Sequence, residues 1–221
     1  MHIRRNALTA GLAMIVMTIL LGVIYPLVVT GISQVAFPGN ANGQQVKVDG
    51  KLAGSKIIGQ QFAIQVIKNG KPQVDKNGNP VTAPDPKYFQ TRPSATVPPD
   101  NDAATTFSNL GPNNVATEQE IAANIKAYLA LEKPYDPGLT TAQVPVDAAD
   151  SSASGVDPDI SQANAWIQAH RVAAVRHLSL SKVMQLISQY TTARSLGIFG
   201  EPGVNVLELN LALDRLAGGR S

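Results

Sequence analysis

Two patterns predict an α+β fold carried behind one N-terminal transmembrane helix. The first is a 26-residue apolar run, Ala7 to Ile32, inside a stretch from Arg5 to Lys47 that contains no charge. In the second, the remaining residues alternate short strand-like segments with helical periodicities, without the regular βαβ rhythm of a parallel sheet. Composition bounds the functions open to such a chain. It has 221 residues with 18 Lys+Arg against 16 Asp+Glu, and a net charge of +2 gives no electrostatic footprint for nucleic acid. With no cysteine, disulfide scaffolds, zinc–thiolate sites and thiol nucleophiles are excluded.

The apolar run justifies the first element. As a helix it is about 39 Å long, against about 30 Å of hydrocarbon, so it spans with slack or tilt. A cleaved signal peptide has an apolar stretch of only about 7–15 residues. Gly31-Ile32-Ser33 has the small-x-small form of a cleavage site, but the length of the run favours an uncleaved anchor. The expected organisation is a cytoplasmic 1–6, a membrane helix over 7–33, a linker over 34–53 and a domain over 54–221. His2, Arg4 and Arg5 precede the span and the next cation is Lys47, so the domain is expected outside the cytoplasm, periplasmic in an inner-membrane protein. At 100° per residue, Ala7, Gly11, Thr18, Gly22, Tyr25 and Val29 fall in one narrow arc. Ala7/Gly11 and Thr18/Gly22 are small-xxx-small pairs that let membrane helices approach closely, so this stripe is the expected helix-packing interface. Pro26 removes a backbone donor and predicts a kink in the outer third.

The segments that follow build the α+β domain. Residues 34–53 are rich in Gly, Asn and Gln, with one short strand near Val46-Lys47-Val48. Gly54 to Phe62 reads as a strand or strand–turn. Asn69-Gly70 and Asn77-Gly78 are hairpin dipeptides, predicting a β-hairpin insertion over about 63–86. Tyr88 to Thr96 and the Pro/Asn/Ser-rich stretch after it read as loop. Thr117-Glu118-Gln119-Glu120 has the form of a capping box and predicts a helix with Ile121, Ile125, Tyr128 and Leu129 inward, stopped by Pro134. Ser161 caps a second helix with Trp166, Ile167, Ala174 and His170 on its inner side. A third runs from about Ser181 to near Gly197 with Val183, Leu186, Ile187 and Tyr190 inward. Val204 to Asp214 begins as a strand and turns helical from Glu208, through Leu209, Leu213 and Leu216.

Chemistry-bearing motifs are sparse. No Walker A string, GxSxG elbow, HExxH or EF-hand loop occurs in the sequence. His170 and His177 lie seven apart, two turns along one helix, too far for one metal without other ligands. From Asp100 to Ser161 there are ten acids against two bases. Within that block Asp147, Asp157 and Asp159 form a candidate acidic face that could concentrate cations, while Asp157-Pro158 and the Ser161 cap also explain these residues as turn and helix-start groups. Neither a catalytic constellation nor a metal site emerges.

Seven strings, read together, carry a family resemblance. They are Gly54-Ser55-Lys56-Ile57-Ile58-Gly59-Gln60-Gln61-Phe62, then Tyr88-Phe89 with Arg92-Pro93-Ser94-Ala95, then Ser108-Asn109-Leu110-Gly111-Pro112-Asn113-Asn114. Pro145-Val146-Asp147-Ala148 follows, then Ser154 to Ser161, Arg171-Val172-Ala173 and Gly200 to Asn210. In order and spacing, behind an N-terminal membrane helix, the chain resembles the C subunit (KdpC) family of Kdp potassium-transporting P-type ATPases over nearly its whole length. It departs from the pattern in a longer Gln61–Lys87 stretch and in Thr105-Thr106-Phe107 before the Ser-Asn-Leu-Gly-Pro string. The resemblance implies a non-catalytic accessory subunit with no cofactor of its own, ATP and K+ being handled by the complex. Its implied partners are a potassium-channel-like subunit, a P-type ATPase subunit and a small membrane peptide. The implied role is a catalytic chaperone that assists assembly and raises the ATPase subunit's affinity for ATP. The alternative from another class is a free-standing membrane-anchored binding domain or hydrolase, which would need a pocket with convergent polar groups and a perturbed titratable residue.

Overall fold

The computed structural model describes residues 2–76, 78–96, 99–101, 103 and 109–218. The chain divides into two compact units, Met1–Ala53 and Gly54–Ser221.

In the first unit one helical rod, Ile3–Ala36, is long and apolar enough to cross a membrane. It comprises α1 (Ile3–Ile19), a single π-helical turn (Leu20–Ile24) and α2 (Tyr25–Ala36). The π turn lies immediately before Pro26, whose ring crowds the carbonyl four residues back and which offers no N–H. The Tyr25 amide instead donates to the Leu20 carbonyl, one residue further back than an α-helix allows. Residues 34–53, expected as a linker with one strand, hold the end of α2, the short helix α3 (Pro38–Ala41) and the first strand pair. Strands β1 (Gln45–Val48) and β2 (Lys51–Ser55) pair with each other. Asp49 and Gly50 between them both have positive φ, the tight turn that suits the twist of a hairpin.

The second unit begins with a β-rich excursion. Strands β3 (Ala63–Gln65) and β6 (Thr82–Pro84) pair antiparallel, enclosing the hairpin of β4 (Ile67–Lys68) and β5 (Lys71–Pro72) turned by Asn69-Gly70. Asn77 of the second hairpin dipeptide lies outside the described residues. Helix α4 (Val115–Glu132) starts earlier than the Thr117 cap predicted, because the Asn114 side chain accepts the Ala116 amide and the Thr117 hydroxyl turns back to the Gly111 carbonyl. The short α5 (Val146–Ala149) follows, and β7 (Asp159–Ile160) leads into α6 (Gln162–Arg176), capped by Ser161 as predicted. Helix α7 (Leu180–Gln189) ends at Tyr190 rather than near Gly197, because Thr191–Thr192 forms β8 and the Thr191 hydroxyl joins the Tyr190 amide in donating to the Ile187 carbonyl. Strand β9 (Gly203–Asn205) lies between β7 and β8, antiparallel to both, and passes directly into α8 (Val206–Gly218).

The core is gathered on β9. Val204, Val206, Leu209 and Leu213 meet Val183 and Ile187 of α7, Ala165, Ala169 and Val172 of α6, Ile160 and Phe89. Helix α6 turns a different face inward from the one predicted. Trp166, His170 and Ala174 are exposed, and Asn164, Gln168 and Arg171 are buried beside the alanines. Beside the face that joins the apolar core, this helix buries a polar stripe because that stripe serves the backbone of a neighbouring segment.

Candidate functional site

That neighbouring segment is Pro86–Arg92, which leaves a turn closed by the Tyr88 amide on the Asp85 carbonyl and runs on as irregular chain with no sheet partner. Three side chains take the place of strands. Arg171 donates from Nη1 to the Pro86 and Tyr88 carbonyls at 2.7 and 2.9 Å. The Asn210 amide brackets Phe89, accepting its N–H and donating to its carbonyl. Gln168 brackets Gln90 in the same way, at 2.7 and 3.1 Å. Phe89 is thereby pinned in the core with no exposure to solvent. The Gln90 side chain returns to the Asp85 and Tyr88 carbonyls and closes the turn before it.

Arg171 is also the centre of the charge balance. Its Nε contacts both oxygens of Glu132, the last residue of α4, at 3.0 and 3.1 Å, and both side chains are essentially excluded from solvent. Burial raises the Glu132 carboxyl above its ordinary range, and the adjacent guanidinium opposes that shift by favouring the anion. From Arg171 the network runs through Gln168 to Asn164, whose Oδ1 accepts the Tyr128 hydroxyl at 2.9 Å and whose Nδ2 donates to Asp147. Burial first, then the Glu132 and Asp147 charges, raise the Tyr128 phenol, so it stays a neutral donor.

Between α4 and this segment lies a cleft of about 300 Å³ bordered by Gln90, Arg92, Asp100, Asn124, Tyr128 and Gln168. Burial pushes the Asp100 carboxyl up to about 6, against the Thr91 hydroxyl that donates to it at 3.1 Å. The Ser94 hydroxyl is spent on structure: it donates to the Gly155 carbonyl and accepts the Asp100 amide. Arg92 reaches Asp157 at 3.3 Å and the Ser151 carbonyl at 3.2 Å. Gly59 closes this end of the unit. A Cβ there would come within 2.7 Å of the Asp157 carbonyl, a backbone approach that only glycine allows. The cleft therefore offers hydrogen bonds and shape; its hydroxyl groups and Asp100 are engaged within the fold, while Arg92 uses its terminal nitrogens on Asp157 and the Ser151 carbonyl and keeps a buried Nε without a partner.

The residues predicted as an acidic face are structural ties. Asp147 accepts the Ser161 amide, the Ser161 hydroxyl and the Asn164 amide side chain, fixing the start of α6. Asp157 accepts Arg92 and the Asp159 amide. Asp159 accepts Asn205 at 3.1 Å, and burial raises its carboxyl. The predicted membrane stripe is also modified. The π turn holds about one extra residue per turn and so sets everything after it back by ~100° on the wheel. Tyr25 and Val29 therefore leave the arc that Ala7, Gly11 and Thr18 keep. Gly22 stays beside Thr18, where an added Cβ would sit 3.8 Å from the threonine methyl. His170 and His177 are both exposed, and no group of three or more potential metal ligands occurs among the described residues.

Sequence reasoning assigned no role to Glu132, Asn164, Gln168, Arg171 or Asn210. Arg171 and Asn210 lay within strings that carried the family resemblance, as did Tyr88-Phe89, which was the available signal. Comparison with known proteins decides what the arrangement belongs to. A family model described as "KdpC: K+-transporting ATPase, c chain" matches residues 7–215, anchor and domain together. The chain belongs to the KdpC family. Similar relatives include the potassium-transporting ATPase KdpC subunit of Methylococcus capsulatus, 45% identical over 94% of this chain and 96% of the relative. That of Herpetosiphon aurantiacus is 44% identical over 92% and 93%, and that of Mycobacterium tuberculosis 42% over 96% and 100%.

Two outcomes test the site. Arg171→Met strands the Glu132 carboxylate and should cost about 3–5 kcal/mol in denaturant unfolding, whereas Arg171→Met with Glu132→Leu should recover most of the loss. For Asp100 the folded-state value lies above the unfolded one, so its proton stabilises the fold fully below about pH 3.8 and that contribution is lost as pH rises through about 6. The unfolding free energy of the wild type relative to Asp100→Asn should fall between those values; a difference independent of pH contradicts it.

Proposed function

We propose that this chain is a non-catalytic, membrane-anchored accessory subunit of a high-affinity, ATP-driven potassium uptake complex. Its partners in this reading are a potassium-channel-like subunit, a P-type ATPase subunit and a small membrane peptide. The observation that carries it is the family match, which covers the apolar helix and the Gly54–Ser221 unit as one protein. The relatives are named as subunits of a potassium-transporting ATPase. The Arg171, Gln168 and Asn210 side chains support it, because they are committed to holding that unit's own backbone.

In this reading Arg4 and Arg5, at the start of the rod and before its apolar run, favour a cytoplasmic N-terminus, with the Gly54–Ser221 unit outside, near the potassium entrance. ATP is on the other side of the bilayer from that unit. The effect on the ATPase subunit is then indirect: the anchor and domain favour the competent state of their partners, a coupling of about 1–3 kcal/mol in apparent ATP affinity. In this reading Asp147, Asp157 and Asp159, besides tying the fold, form the acidic face that enriches potassium near the entrance through its long-range field.

The test is co-purification from membranes in mild detergent. The wild-type chain should bring down a channel-like subunit and a P-type ATPase subunit, and Gly11→Leu with Gly22→Leu should weaken that recovery by blocking close helix approach. A wild-type chain recovered alone sinks the reading; unchanged recovery of the double variant sinks the role of the stripe.

A further inference from the structure

Between β8 and β9 the chain makes an excursion that the fold does not need for its core. Leu196, Ile198 and Phe199 are exposed to 90%, 70% and 62%. The excursion is nonetheless closely held. Ser195 and Phe199 exchange both backbone hydrogen bonds at 2.8 and 2.9 Å, the Gly197 and Ile198 amides close the turn on Arg194 and Ser195, and Arg194 clasps both oxygens of Glu201 at its base. Leu196 has φ of 55°, left-handed backbone that favours Gly or Asn over a branched apolar side chain. A leucine that is both strained and bare gains nothing inside the fold, and such local violations mark surfaces used for something else.

We propose that the Leu196–Phe199 tip docks into an uncharged apolar recess on a membrane-embedded partner subunit of the same complex. The proposal rests on the accessory-subunit reading above and adds the surface by which this unit engages its partner. Charge argues for such a recess: the one cation and the one anion at the base of the tip neutralise each other, so the rim presents no net charge. A loop built for lipid would gain from free Lys or Arg and from Trp or Tyr beside the apolar residues, and Arg194 to Glu201 contains none of these beyond the paired arginine. Area argues for a partner already held close. Three such side chains offer on the order of 400 Å² of apolar surface, about half of the ~800 Å² per partner typical of a free-standing interface. That is too little to hold a second copy of the chain by itself, and enough for a contact within a complex whose other interfaces already hold the two subunits together.

The experiment uses the full chain co-expressed with the other subunits, with the photocrosslinker p-benzoylphenylalanine in place of Phe199. Irradiation should give an adduct with a membrane-embedded partner subunit. Leu196→Ser with Phe199→Ser should reduce retention of the chain on that partner about tenfold while leaving its thermal unfolding midpoint unchanged, because the replaced side chains face solvent. An adduct only with lipid, or only with a second copy, overturns the proposal, as does the absence of any adduct from a complex recovered in wild-type yield. If the wild-type chain brings down no partner at all, the accessory-subunit reading falls and this surface with it.

Discussion

A guanidinium sealed from water must find acceptors for its N–H groups inside the protein, or the fold that seals it is not stable. Arg171 meets that requirement by joining three parts of the chain: the end of α4 through Glu132, its own helix through Gln168, and the Pro86–Gln90 segment through two carbonyls. The rest of the Gly54–Ser221 unit follows from this junction. Phe89 can sit in the core only because Arg171, Asn210 and Gln168 satisfy the backbone that carries it inward. Helix α6 presents a polar inner stripe for the same reason, and α4 is fastened to α6 through Glu132 and Tyr128. Backbone groups that would pair in a sheet are here paired by side chains, and a segment that is irregular in conformation carries a core residue all the same.

Sequence and structure agree where apolar periodicity or turn chemistry decides. The apolar rod, the Asn69-Gly70 turn, the Ser161 cap and the inward Val183, Leu186 and Ile187 of α7 were all legible because each is a local rule. The inner face of α6 was not. Asn164, Gln168 and Arg171 recur at the spacing of one helical face, and polarity alone assigns that face to solvent; only the distant Pro86–Gln90 backbone, which needs donors and acceptors, reverses the assignment. The start of α4 was missed because an Asn114 side chain competes with a capping-box pattern three residues later. The stripe on the membrane helix was read on an ideal wheel, and Pro26 with its π turn changes the wheel.

In the proposed reading, these features suit a subunit that holds other proteins rather than transforming a substrate. The π turn gives the rod a defined break in its hydrogen bonding beside Thr18 and Gly22, within the stretch that carries the small residues. In the second unit, buried polar groups act beside the apolar core to fix one arrangement of α4, α6 and α8. Such networks favour a single geometry over alternatives, which is what a surface that must match a partner requires. The cleft beside Tyr128 and Asp100 belongs to this same framework.

The central claim is that Phe89 and Gln90 are held by side chains as firmly as a buried strand is held by its neighbours. Hydrogen exchange on the intact chain in detergent or nanodiscs tests it at single amides. The Phe89 and Gln90 amides, donated to Asn210 and Gln168, should exchange only with global opening of the unit, as slowly as the Leu209 and Leu213 amides of α8. Exchange of those two amides at the rate of the Asn69–Gly70 turn, with α8 still protected, would contradict it.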